Sequence, residues 1–137
     1  MRASVFFTLG LGTTLAGLLA CSGPSMPNRS DGRAFFSQNC TSCHGQTAEG
    51  DGPMAVGLAT VPTDLTTLSR GNGDVFPATR ALAYIWSDPE QGHLARVMPE
   101  FGSVMSDDLV PVELDGVFTP TPRALAGLLT YLESIQK

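Results

Sequence analysis

The chain has 137 residues, thirteen acidic and eight basic side chains, and a net charge of −5 at pH 7. This length allows one small domain. Because few basic side chains are available to neutralise a line of phosphates, the composition argues against a nucleic-acid partner. The acidic balance suits a partner with a positively charged docking face.

The first 20 residues have the pattern of an export signal. Arg2 is followed by an uncharged run rich in leucine, glycine and alanine, which is too weakly hydrophobic to predict a membrane span. We therefore predict a signal peptide over residues 1–20. An uncleaved N-terminal anchor helix is the alternative.

Residues 18–21 read LLAC directly after the apolar run. They resemble the lipobox of bacterial lipoproteins, in which the cysteine receives the lipid and becomes the first residue of the mature chain. The resemblance implies a lipid on Cys21, and Ser22 in place of an aspartate favours the outer membrane, with the domain on the periplasmic side. The alternative is a soluble periplasmic protein that is cut near Ala20 or Gly23.

The mature chain begins with polar residues and prolines, so we predict a flexible tether over residues 21–30. The domain then occupies residues 31–137. Ser30 or Asp31 can cap a helix through residues 32–40, in which two phenylalanines supply the large apolar groups.

Glycine and proline recur too often in residues 45–62 for a long regular element, and we predict a loop there. Thr63 or Asp64 begins a short helical turn, and Pro77 opens a further helix. Residues 90–120 show little periodicity and predict mostly loop.

The last helix begins at Thr121 and Pro122 and carries one continuous apolar stripe. The stripe consists of Leu125, Leu128, Leu129, Leu132 and Ile135.

No segment predicts a sheet, so the expected fold class is all-α, with three or four helices. Few side chains are large enough to build a core, and a small domain of this kind usually needs a staple. A large, flat, apolar cofactor attached to the chain would supply both core and cross-link.

Residues 40–44 read CTSCH, and C-x-x-C-H is the attachment signature of c-type haem. Two thiols add across the two vinyl groups of the porphyrin, and the histidine binds the iron. We therefore predict Cys40 and Cys43 as thioether anchors and His44 as an axial ligand. A redox dithiol would need a neighbouring strand, a zinc site would depend on the distant His93, and a bare disulfide leaves the adjacent histidine unexplained.

The second axial ligand is sought in the stretch RVMPEFG, residues 96–102. A soft thioether suits low-spin haem iron, and Met98 stands before a proline in a loop, so we predict Met98 as this ligand. Met54 and Met105 are weaker candidates, and His93 would give a bis-histidine site. A haem enzyme or gas sensor would result if Met98 were absent from the iron or easily displaced.

From Asp31 to Ile135 the chain resembles the class I monohaem cytochromes c. The stretches that carry the resemblance are GRAFFSQNCTSCHGQTAEGDG, VPTDLTTL, RVMPEFG and LAGLLTYLESIQ. The resemblance implies the cytochrome c fold around one covalent haem c, with the helix before the haem motif crossing the last helix. Gly32, Phe36 and Tyr131 match the small and aromatic residues that meet at that crossing.

The same resemblance implies further contacts to the cofactor. The carbonyl of Pro62 is expected to accept a hydrogen bond from His44 and so to fix its tautomer. Trp86 is a candidate hydrogen-bond donor to a haem propionate, and Arg70 or Arg80 is a candidate ion-pair partner for one. Packing or surface roles are the alternative for these three.

The chain departs from the simplest members of this family by an insertion at residues 102–120. It resembles the arrangement in some proteobacterial periplasmic cytochromes, which also carry a stretch like residues 70–77. The insertion covers a haem edge, forms a docking surface or is a plain surface loop.

The function predicted from the sequence is that of a periplasmic single-electron carrier rather than an enzyme, because both axial positions of the iron are filled. Its expected partners are redox proteins with a basic docking face, reached by transient, electrostatically steered encounters. The alternative is an accessory subunit of a respiratory oxidase or reductase, held near a membrane complex by the lipid.

Overall fold

The computed structural model describes residues 25–86, 98, 99, 101 and 107–137. The predicted signal peptide and Cys21 lie outside these residues. The described part contains four α-helices and one antiparallel hairpin, with two short 3-10 turns at Leu65–Thr67 and Arg70–Asn72. The elements are α1 (Arg29–Asn39), α2 (Thr41–His44), α3 (Ala78–Trp86), β1 (Leu109–Leu114), β2 (Val117–Pro122) and α4 (Arg123–Ser134). Among the described residues, no helix has the length and hydropathy needed to cross a bilayer.

Helix α1 begins with a capping box. The Asn28 side chain accepts hydrogen bonds from the backbone N–H groups of Ser30 (2.8 Å) and Asp31 (3.3 Å). The Asp31 carboxylate in turn accepts the Asn28 N–H at 2.8 Å. This reciprocal arrangement satisfies donors that have no partner inside the helix. The prediction of Ser30 or Asp31 as the cap is therefore wrong, because Asn28 is the cap and Asp31 completes the box.

The core is built where α1 crosses α4, as the resemblance to class I cytochromes c implies. A β-carbon placed on Gly32 would lie 1.9 Å from the carbonyl oxygen of Gly127, so the two backbones touch. Beside this contact, Phe36 is 1% exposed and its ring centroid lies 5.3 Å from that of Tyr131. The predicted roles of Gly32, Phe36 and Tyr131 at the crossing are confirmed.

Helices α3 and α4 complete the core. In α4 the predicted apolar stripe is confirmed, since its four leucines are buried and Ile135 is half-buried. In α3, which starts after Pro77 as predicted, Ile85 is buried in the same apolar cluster and Leu82 packs against it. The fold thus places one apolar face of each of these helices toward the end of α1.

The hairpin contradicts the prediction of loop for residues 109–120 and the prediction that no segment forms a sheet, so the all-α fold class describes only the helices. Strands β1 and β2 pair in antiparallel register and end at Leu114 and Val117. Asp115 (φ 50°) and Gly116 (φ 83°) form the two-residue turn, and both left-handed conformations match a type I′ hairpin. An Asp-Gly pair between alternating β-branched residues is a hairpin signal. Prolines in both strands weaken this hairpin signal, because proline is depleted in sheets.

Two of these prolines, Pro111 and Pro120, lie directly opposite each other in the register. Neither has a backbone N–H, so this pair cannot exchange the two hydrogen bonds of an antiparallel ladder. It therefore occupies a non-hydrogen-bonded position, and both proline nitrogens face away from the partner strand.

Candidate haem site

The CTSCH motif forms one turn of helix directly after α1. The backbone N–H of His44 donates to the Cys40 carbonyl at 2.9 Å, and that of Cys43 donates to the same oxygen at 3.2 Å. Both cysteines are half-buried free thiols. A single helical turn therefore sets the separation of the two thiols and places the histidine beside them.

The Cys40 thiol lies next to the apolar core. Cys40 packs against the buried cluster of α1, α3 and α4. Burial, with a smaller contribution from the neighbouring Cys43, raises the pKa of Cys40 to about 11. Before attachment to a cofactor this group is therefore a neutral thiol at pH 7 in apolar surroundings.

His44 is oriented by the segment that follows the glycine-rich loop. Its Nδ1 lies 3.0 Å from the carbonyl oxygen of Thr63, and a carbonyl only accepts, so Nδ1 carries the proton. Burial lowers the pKa of His44, and the hydrogen bond to Thr63 opposes this shift. The ring is thus held as a neutral imidazole with Nε2 left as the metal-binding atom.

The predicted partner of His44 was Pro62, and the structure corrects this by one residue. The Pro62 carbonyl oxygen lies against Gly50, where an added β-carbon would approach it to 2.2 Å. Gly50 has φ 86° and donates its N–H to the His44 carbonyl at 2.9 Å. Because the Pro62 carbonyl faces this glycine, the next carbonyl, that of Thr63, is the one directed at the imidazole.

The glycine-rich loop folds back onto the motif. The Gly52 N–H donates to the Cys43 carbonyl at 3.0 Å, and the Met54 N–H donates to the Ser42 carbonyl at 2.8 Å. A β-carbon on Gly52 would lie 2.5 Å from the Ser42 oxygen, so only glycine fits there without movement. These bonds satisfy the last carbonyls of a helix that is too short to do so itself.

The C-terminus fixes the segment that carries Thr63. Gln136 Nε2 donates to the carbonyls of Leu65 (2.7 Å) and Leu132 (2.8 Å), and Gln136 Oε1 accepts the Ser69 N–H at 2.9 Å. Sequence reasoning missed Gln136, because a glutamine after the last helix gives no signal of contacts some seventy residues away. This side chain links the end of α4 to the residues just after Thr63.

Met98 lies on the same apolar cluster as Cys40, together with Phe101. The Phe101 N–H donates to the Ile85 carbonyl at 3.2 Å, and its ring packs edge-on against Phe35 with centroids 6.1 Å apart. The structure therefore packs the predicted thioether ligand and a predicted thioether anchor against the same apolar cluster. The axial role of Met98 stays a prediction.

The remaining predicted residues are more dispersed. Trp86 ends α3 with its side chain exposed, and Arg70 is exposed in a 3-10 turn. Arg80 lines a cavity of about 570 Å³ between α3 and the tip of the hairpin. Their propionate contacts stay predictions. Met54 is exposed in the glycine-rich loop, and His93 and Met105 lie outside the described residues.

The residues present fit a covalent haem. Two thiols stand one helical turn apart, and a neutral imidazole keeps Nε2 available beside them. Half-buried apolar side chains pack against the same buried cluster as Cys40 and would offer apolar contacts to a flat ring attached there. They are Phe35, Leu65, Phe76, Leu82, Met98 and Phe101.

Comparison with known proteins assigns the chain to a family. Residues 27–111, more than half of the chain, match the family model described as "Cytochrome C oxidase, cbb3-type, subunit III". No curated protein and no solved structure matches the chain.

Proposed function

Because the chain belongs to this family, and is thus a c-type monohaem cytochrome with covalently bound haem c, we propose that it is a periplasmic single-electron carrier. Haem-based electron transfer follows from the family itself. The proposal adds His44 and Met98 as the two axial ligands, and a location on the periplasmic side of a bacterial membrane.

The observation that carries this proposal is the packing of Met98 on the apolar cluster that also contacts Cys40. When bound, the haem supplies reversible one-electron chemistry at its iron. Cys40 and Cys43 hold the ring, and Thr63 keeps His44 in the tautomer that binds metal through Nε2. Met98 offers a thioether, a ligand that raises the reduction potential and leaves no axial position open.

Substitution of the methionine tests this ligand set. The ferric wild-type protein should show the weak absorption band of a methionine thioether bound to iron, and Met98→Ala should abolish it and lower the reduction potential. Met54→Ala is the matched control, because Met54 is 60% exposed, and it should keep the band. Met105→Ala examines the next methionine along the sequence after Met98 and should also keep the band.

Three results would contradict the proposed ligation. The band could survive in Met98→Ala, it could disappear in Met105→Ala instead, or the wild-type protein could be high-spin and bind carbon monoxide readily. The last result would favour the haem enzyme or gas sensor over the carrier.

We also propose that Cys21 carries the lipid, on the strength of the LLAC sequence and its position after the apolar run. The mass of the exported protein should include both a covalent haem and a lipid group, and Cys21→Ser should lose only the lipid. A wild-type chain released into the soluble periplasm without lipid mass contradicts the anchor and leaves the haem assignment intact.

The description of the matched family favours a second candidate, an accessory subunit of a respiratory oxidase. An affinity-tagged chain extracted in mild detergent separates the two functions. A carrier should be recovered alone and exchange electrons with added partners at a rate that falls with ionic strength. A subunit should be recovered with other chains in fixed ratio.

A further inference from the structure

We infer that the anchored domain has a defined orientation, or stance, on its membrane, in which one end, the tether junction, lies against the lipid surface. The tether junction consists of Ser25, Met26, Asp108, Leu109 and Arg123. This inference rests on the proposed lipid at Cys21 and adds which face of the domain meets the bilayer.

The tether junction is held together by one guanidinium group. Arg123 Nη1 donates to the Ser25 carbonyl at 2.7 Å, while Nε and Nη2 donate to the Asp108 carboxylate at 2.6 and 3.2 Å. The Arg123 backbone N–H also donates to the Asp108 carbonyl at 2.9 Å. Three stretches that are distant in sequence therefore meet here, and the chain is fixed to the domain from Ser25 onward.

The free part of the tether is consequently short. Only four peptide steps separate Cys21 from Ser25. Even fully extended, four residues span about 14 Å. The tether junction is thus held close to the headgroups, and no remote face of the domain can take its place unless the bond between Arg123 and Ser25 opens.

The side chains at the tether junction suit a lipid surface. Met26 directly follows Ser25 and is 52% exposed, and Leu109 directly follows Asp108 and is 51% exposed. Both can bury apolar surface at the boundary between headgroups and acyl chains.

The charges at the tether junction do not oppose its approach to the lipid surface. The mature chain is acidic as a whole, but the tether junction contains one acidic and one basic side chain, Asp108 and Arg123, which pair with each other. An anionic lipid surface therefore repels this end less than the rest of the molecule.

The haem motif lies at the other end of α1. This helix has 11 residues and so extends about 16 Å from Arg29 near the tether junction to Asn39 beside Cys40. The stance on the membrane therefore directs the CTSCH motif away from the bilayer, where a soluble partner can reach it.

Spin labelling of the full-length, lipidated holoprotein on vesicles tests the stance. Lipid occupies Cys21 and haem occupies the other two cysteines, so one introduced cysteine is the sole free thiol. Ala124→Cys places a label beside the tether junction, and Gln46→Cys places one beside the haem motif, both at exposed positions. The vesicles contain a nickel-chelating lipid, and the protein is kept reduced so that its low-spin iron is diamagnetic.

Relaxation of the label by nickel should be several-fold stronger at position 124 than at position 46. Arg123→Gln in the Ala124→Cys protein should reduce that difference, because the tether then lengthens. Equal relaxation at the two wild-type positions, or stronger relaxation at 46, overturns the stance while leaving the lipid in place. A chain without lipid mass overturns the anchor and this inference together, and leaves the electron-transfer function untouched.

Discussion

The crossing of α1 and α4 leaves no space for an added atom at its centre, whereas the two strands of the hairpin, β1 and β2, expose half of their residues to water. At the crossing, two glycine backbones touch and a buried phenylalanine packs on a tyrosine. In the hairpin, the geometry depends on two left-handed turn residues and on prolines. The crossing is therefore specified by steric fit, and the hairpin by backbone conformation.

The largest effect is expected at Gly32. In Gly32→Ala the new β-carbon would meet the Gly127 carbonyl, which is backbone and cannot rotate away, so the helices must separate. We expect a loss of about 3 kcal/mol in the free energy of unfolding of the holoprotein, measured by urea titration. Gly71→Ala is the control, because nothing lies within 4 Å of its added β-carbon. Similar losses in both variants would contradict the steric account.

A smaller effect is expected at Gln136, which joins the crossing to the haem site. Gln136→Ala removes three hydrogen bonds and leaves part-buried backbone groups of Leu65 and Ser69 without this partner. We expect a loss of about 2 kcal/mol and a shifted ferric absorption spectrum, because the Thr63 carbonyl beside His44 is less firmly held. Gln136→Glu keeps the acceptor for Ser69 and should lose less. An unchanged spectrum in Gln136→Ala would show that Thr63 is fixed without this side chain.

In the hairpin the expected effect is smaller again. Gly116 has φ 83° and open space around it, so Gly116→Ala is strained only by its backbone conformation. We expect a loss of about 1 kcal/mol by urea titration, with the haem spectrum unchanged. Asp115→Asn is the control, because asparagine adopts the left-handed conformation readily. A changed haem spectrum would contradict the separation of the two regions.

The smallest effect is expected for the exposed ion pair at the base of the hairpin. The hydrogen bond from Arg123, and then its charge, hold the pKa of Asp108 below its ordinary value. A carboxylate with a lowered pKa stabilises the fold above its ordinary pKa, near pH 4, and loses this contribution as the pH falls through the lowered value. Stability should therefore fall less steeply below about pH 4 in Asp108→Asn than in the wild type. Urea titrations from pH 7 to pH 3 measure both slopes, and equal slopes would contradict a contribution from this ion pair.

Local patterns predicted the haem motif and the apolar stripe of α4, and the resemblance to class I cytochromes c implied the crossing of α1 and α4. CTSCH spans one helical turn, and the apolar stripe of α4 is a helical repeat, so neighbouring residues carry the information. The prediction named Pro62 instead of Thr63 as the partner of His44. The close approach of Gly50 to Pro62 decides which carbonyl faces the imidazole, and the sequence does not show this contact. Gln136 acts between segments distant in sequence, and no local pattern reports such a contact. The Asp115-Gly116 pair is a local signal for a hairpin turn. The prolines on either side of it have low strand propensity, and they argued against strands there.

The opposed prolines of the hairpin have a consequence for chains that share a membrane. Within the described residues the sheet has two strands, so each strand has an outer edge. A lipid anchor would confine many copies to a plane, and bare strand edges there invite pairing between neighbours. Pro111 and Pro120 each remove the one donor that a neighbouring chain would meet at the middle of an edge. In such a layer the hairpin would thus be a poorer template for pairing between neighbouring copies.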